Sequence, residues 1–202
     1  MSEVYKNTST LSFHGFIRDL YAAMDVSPIG IRKMWETVKR GSGVSDNRQL
    51  HLGEGIHREQ LHHGEHLEVM TAAYIKQIEL SMSTNERPVV SLRHWCAEVL
   101  GTAALVAWFG ENIMDIEPRL LEYFAVFDTD SWMLTYKYPR FLGKEMHAAK
   151  DVQREAFMKY FKLRPEERKD AGYYIRTVEA KQRKAGMTDW DIATTAQMFF
   201  WG

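Results

Sequence analysis

Apolar positions in this chain recur three and four residues apart, and no stretch alternates as a half-buried strand would. Ser27-Pro28 reads as a cap followed by proline at the first helical position, and Ile31, Met34, Trp35 and Val38 continue it at helical spacing. Gly41 to Asn47 (GSGVSDN) reads as a loop. A short helix is predicted from Leu50 to His63, with Gly64 breaking it before a longer one from Glu65 to Met82. Ser91 caps an apolar helix that ends at Phe109, where Gly110 suits a left-handed backbone. Pro118 opens the next helix, with Leu121, Phe124 and Phe127 on one face. Lys144 to Leu163 places Met146, Ala149, Val152, Ala156 and Tyr160 on a stripe. Pro165 opens a charged helix that Gly186 closes. Thr188 caps the last helix, and Asp191 stands where a capping box would hold Glu. The expected fold class is all-α.

That last helix grows steadily more apolar through Met198, Phe199, Phe200 and Trp201 before Gly202. Large apolar groups at an uncovered end predict self-association through this helix. At 202 residues, 45% hydrophobic and 26% charged, the chain is rich enough in apolar groups to exclude a disordered protein. One helical domain over residues 1–202 is expected. Lys+Arg of 26 against Asp+Glu of 27 gives a formal charge of -1, without the basic excess a nucleic-acid binder needs. Cys96 is the single cysteine and has no intrachain partner, which fits a reducing, cytoplasmic setting. Met1 to Thr10 is polar and lacks the apolar centre of a signal peptide. The most apolar run, Val99 to Phe109, falls well short of the roughly 20 residues that a membrane span requires.

Candidate chemistry is sparse. His51, His57, His62, His63 and His66 cluster, with Glu59 and Glu65 nearby, and His62 and His66 have the spacing of a helical metal-ligating pair. Gly64 between them weakens the helix that would align them, and a polar surrounding favours a solvated face. Cys96 lies at core spacing between Trp95 and Val99, which suits an inert structural thiol. Asp128 and Asp130 are too close in sequence to share a helical face as an acid–base pair. Phe124, Phe127, Trp132, Tyr136 and Tyr138 are dense enough to line an apolar pocket, though core packing accounts for them as well. No nucleophile elbow, phosphate loop or dinucleotide fingerprint occurs.

The order of segments resembles the middle portion of a cytochrome P-450 monooxygenase. The likeness is to the fungal branch related to sterol 7-alpha-hydroxylases and prostacyclin synthase. An apolar helix ends in Phe109-Gly110, then come Phe127, Asp128 and Trp132, then a junction carrying Tyr136, Pro139, Phe141 and Leu142. Gly186 to Ala193 resembles the entry to the family's long central helix, and Phe200-Trp201-Gly202 its approach to the oxygen-binding groove. HLGEGIHREQLHHGEHLEVM resembles the segment preceding and opening the fourth major helix. The likeness runs from about Phe13 to Gly202 and rests on the ordered set.

The resemblance implies an all-α segment that ends inside the central long helix. In complete relatives, thiolate-ligated heme activates dioxygen with reductase-supplied electrons and hydroxylates a lipophilic small molecule at the endoplasmic reticulum membrane. The heme-cysteine loop, the Glu-x-x-Arg pair and the oxygen-groove threonine are missing, so this chain is expected to be an inactive fragment with no catalytic residues and doubtful heme binding. By position alone, His57 and Arg58 correspond to the heme-propionate contacts. The implied pocket walls are the loop from Asp25 to Asn47, then Trp132, Tyr136 and Phe141, and finally Phe199, Phe200 and Trp201. Two alternatives are a non-catalytic helical binding protein with an aromatic pocket and a small metalloprotein built on the histidine cluster.

Overall fold

The structure is a computed structural model that describes residues 14–35, 54–83, 89 and 91–201. The described residues are mostly helical, and no strand occurs among them. In chain order the helices are α1 (His14–Ala23), α2 (Pro28–Trp35), α3 (Glu54–Leu61), α4 (Glu65–Ser83), α5 (Leu92–Phe109) and α6 (Asn112–Ile116). Next come α7 (Leu120–Asp130), α8 (Trp132–Thr135), α9 (Lys144–Lys162), α10 (Tyr173–Lys184) and α11 (Asp189–Trp201). Val38, the loop at 41–47, Leu50 and His51 lie outside the described residues.

Helix α9 is the centre of the packing. It lies against α7 and α11 and also touches α6. Phe157 and Tyr160 from α9 meet Phe109 of α5, Ile113 of α6, Leu120 of α7 and Ile192 of α11 in one buried cluster. Met24, Phe127, Leu134, Met146 and Ala149 form a second. The Tyr160 hydroxyl donates to the Phe109 carbonyl at 2.5 Å, so the last carbonyl of α5 is not left orphaned. Burial holds that phenol's pKa well above the usual value, and the hydroxyl stays a donor. Gly110 closes α5 at φ 81°, and a Cβ there would lie 2.5 Å from the Asp170 carboxylate, so both backbone and space require glycine.

Two polar ties hold the amino-terminal helices to this centre. Asp25 accepts from Lys150 Nζ at 2.6 Å and from Arg154 at 3.2 Å, and Lys150 also donates to the Ala23 carbonyl. Burial acts to raise the Asp25 pKa, but the two cations overcome it and hold the carboxyl below its usual range. The second tie is Asp191, which is buried. It accepts from the Ser27 backbone N–H at 2.8 Å and from the Ser27 and Thr188 hydroxyls. Thr188 accepts from the Asp191 N–H, as a cap should, but the carboxylate is shared between the Thr188 hydroxyl and Ser27 at the head of α2. Gly30 makes this approach possible, since a Cβ there would lie 2.7 Å from Asp191 Cγ. Ser27 caps α2 through the Gly30 N–H at 2.9 Å.

The structure differs from the sequence reading after Pro165. A single charged helix to Gly186 is replaced by a 3₁₀ turn (Pro165–Arg168), a break at Gly172, and then α10. The break has a tertiary cause: the Gly172 N–H donates to the Trp108 carbonyl at 2.8 Å, and Asp170 accepts from the Glu111 N–H. Those bonds pull the segment onto the end of α5. No helix among the described residues is long and apolar enough to cross a membrane.

Candidate ligand-binding site

A cavity of about 610 Å³ lies along α10. The stripe that positions its wall is Tyr174, Ile175 and Val178, which the same helical face extends to Glu179 and Gln182. Opposite, α1 contributes Phe16, Ile17, Leu20 and Tyr21, and α2 contributes Met34. Thr195, Ala196, Met198 and Phe199 come from α11, His57 from α3 and Phe161 from the end of α9. These walls are mostly hydrocarbon and aromatic, the lining typical of small-molecule sites.

One end of the cavity is an aromatic box. The Phe199 ring stacks on Tyr174 at 4.4 Å and meets Trp108 edge-on at 4.9 Å. His57 packs against Tyr174 at 5.3 Å, and against Phe199 and Trp108 at 6.0 Å each. Burial pushes the Tyr174 phenol up to about 12, and burial followed by the neighbouring Tyr174 raises that of Tyr21. Both therefore remain neutral in the physiological range.

Glu179 supplies the one acidic group among the described lining residues, and it is already occupied. Arg168 donates to it through two nitrogens, at 2.6 and 3.0 Å, and Arg183 Nε through a third bond at 2.8 Å. Arg168 is itself buried above the Tyr160 and Phe161 rings. The described lining holds no lysine or arginine. The carboxylate on the described lining is thus engaged, and the Tyr21 and Tyr174 phenols are neutral.

The residues singled out in the sequence are dispersed. Phe199 lines the cavity. Phe200 turns to the other side of α11 and packs among Phe109, Phe124 and Phe157. Trp201 packs on Phe127 and donates to Asp128 at 3.3 Å. All three are half-buried within the chain, with Met198 beside them, so the end of α11 is partly covered rather than bare. Trp132, Tyr136 and Phe141 are exposed and lie away from the cavity lining; Trp132 contacts Tyr136 and Tyr138. Asp25 serves the Lys150 tie, and residues 36–47 of the expected wall lie outside the described residues. His57 is on the lining and Arg58 is exposed beside it.

His62, His63 and His66 are exposed, and His66 stacks on Tyr173 at 4.0 Å. Among the described residues no three His, Cys, Asp or Glu side chains converge as a metal-ligand group. Cys96 is half-buried on α5 and does not line the cavity. Sequence reasoning missed α10 and α1 as walls, and missed Gln182 and Thr195 as the polar pair within them. The available signal was Tyr174, Val178 and Gln182 at four-residue intervals, a polar residue continuing an apolar stripe. The chain matches no family model, no curated protein and no solved structure.

Proposed function

We propose that this protein binds a lipophilic small molecule in the cavity along α10. The observation that carries the reading is a half-open cavity of about 610 Å³, lined largely by aliphatic and aromatic side chains from six helices, with the Glu179 charge already neutralised. On the sequence resemblance, the helices are the middle portion of a heme-thiolate monooxygenase, whose complete form hydroxylates such a molecule with reductase-supplied electrons. The residues described do not fit a thiolate-ligated heme, because Cys96 lies off the cavity on α5. The role proposed for this chain is therefore binding, with no monooxygenase turnover of its own.

Occupancy is read by intrinsic fluorescence, with Trp108→Phe assigning the signal of the ring packed on Phe199 among the chain's six tryptophans. Apolar probes are expected to quench it saturably, and Ala196→Phe, which places a ring inside the cavity, should abolish that quenching while thermal unfolding remains cooperative. Unchanged binding in Ala196→Phe would refute this cavity as the site. The monooxygenase part has its own test, a carbon-monoxide difference spectrum after heme addition. A red-shifted thiolate band in the unaltered chain that is lost in Cys96→Ala would overturn this reading, since Cys96 is the sole thiol.

A further inference from the structure

We infer that the cavity selects a neutral ligand carrying a hydroxyl or carbonyl oxygen, recognised by the side-chain amide of Gln182. The inference rests on the reading of the cavity as a lipophilic site and specifies what that site recognises.

Four glutamines are buried in the described structure, and three of them are committed elsewhere or sealed in. Gln60 uses both ends of its amide, donating to the His66 carbonyl and accepting from the Tyr174 N–H. Gln153 and Gln197 each donate to a main-chain carbonyl, and their oxygens are enclosed without a partner. Gln182 is different. It is 3% exposed and borders the cavity, with Nε2 donating to Thr195 Oγ1 at 2.8 Å. The Thr195 hydroxyl in turn donates to the Ile192 carbonyl at 2.9 Å, which obliges it to accept from Gln182 and so fixes which way the amide faces. Oε1 of Gln182 has no partner among the described residues and is not among the sealed-in atoms, and Nε2 carries a second hydrogen beyond the one given to Thr195. An amide held this way leaves its acceptor oxygen unmet beside an apolar space, which is costly, and its second N–H is a further donor. A hydroxyl can answer either group, and a carbonyl can answer the donor.

The charge on the walls excludes ionic head groups. Glu179 already accepts three bonds from arginines, and the described lining has no lysine or arginine to meet a carboxylate. A carboxylate or ammonium would enter desolvated and unpaired. Length follows from α10: Tyr174 in the aromatic box and Gln182 are eight residues apart, about 12 Å along the helix axis. The ligand is thus a neutral, roughly ten-carbon-long apolar body with its oxygen at the Gln182 end.

The test is titration of the full chain at about pH 8 with decan-1-ol, 2-decanone, 1-chlorodecane, decanoate and decylammonium, read by calorimetry and by Trp108 fluorescence. The alcohol and ketone are expected to bind about fivefold to tenfold more tightly than the chloride, the value of one neutral hydrogen bond, with both ions weaker still. Gln182→Met, close in volume but without the amide, should erase that advantage and leave 1-chlorodecane within about twofold. Thr195→Val keeps the amide but frees its orientation, and should lose part of the advantage; it carries the test if Gln182→Met does not fold. Equal binding of alcohol and chloride by the unaltered chain, an advantage that survives in Gln182→Met, or tightest binding by decanoate would overturn the inference alone. Binding of none of the five would instead overturn the cavity reading beneath it.

Discussion

Helices α4 and α9 are both 19 residues long, and the more polar of the two is the buried one. Helix α9 carries eight Lys, Arg, Asp and Glu side chains to four in α4, yet ten of its residues are buried and none of α4's are. On α4, Val69, Ile75, Leu80 and Met82 are exposed, and among the described residues it packs mainly on α5 and α3. Helix α9 has α7 and α11 along its length, and its buried Lys150 and Arg154 find Asp25, with Arg154 also lying 3.9 Å over the Trp190 ring. Burial here follows the number of neighbours and the pairing they offer, not the apolar content of the helix. A charged residue enters a core when a partner from another element is waiting for it.

The sharpest way to break this comparison is a pair of truncations. Phe157→Ala on α9 should cost about 3–5 kcal/mol in urea unfolding, whereas Val69→Ala on α4 should stay within about 0.5 kcal/mol. Equal costs would mean that the α4 face is covered after all. Next comes the ionic tie: Asp25→Ala should cost about 3 kcal/mol, because it strands Lys150, whose side chain is 1% exposed, with a single carbonyl. Since the Asp25 pKa is lowered on folding, its contribution is complete above about pH 4 and fades as pH falls through the depressed value. A loss no larger than that of a surface carboxylate would show the tie to be ornamental.

A smaller effect, about 1–2 kcal/mol, is expected for Trp201→Glu, which removes a half-buried ring from Phe127. Light scattering of the unaltered chain should show a monomer, because the α11 aromatics are packed within the chain; concentration-dependent association relieved by Trp201→Glu would reverse that expectation. The smallest is a matter of pH. Burial, and then Lys150 and Arg140, depress the pKa of His147, whose Nδ1 is enclosed without a partner. Its folded value lies below its unfolded one, so it favours the fold above about pH 6.5 and withdraws that support as pH falls. His147→Gln should flatten the stability profile between about pH 7 and 5.

Much of this architecture was legible before any coordinates. The caps at Ser27 and Thr188, the breaks at Gly64 and Gly110, and the stripe from Met146 to Tyr160 all have local causes: a side-chain acceptor, a left-handed backbone, a 3.6-residue period. Local causes are written in neighbouring residues. They determined that the chain is helical and where most helices start and stop.

Only tertiary structure decided the rest. The break at Gly172 depends on the Trp108 carbonyl, and the second use of Asp191 depends on Ser27, 164 residues away. Phe199, Phe200 and Trp201 are consecutive and equally apolar in sequence. The 100° step of the helix sends one to the cavity, the next to the Phe109–Phe157 core and the last to Phe127. The cavity gathers residues from α1 to α11, and Gln182 gains meaning there only because Thr195 fixes its amide from another helix. Helix formation is a property of a few successive residues, whereas an enclosure with a chosen polarity is a property of surfaces brought together from distant parts of the chain.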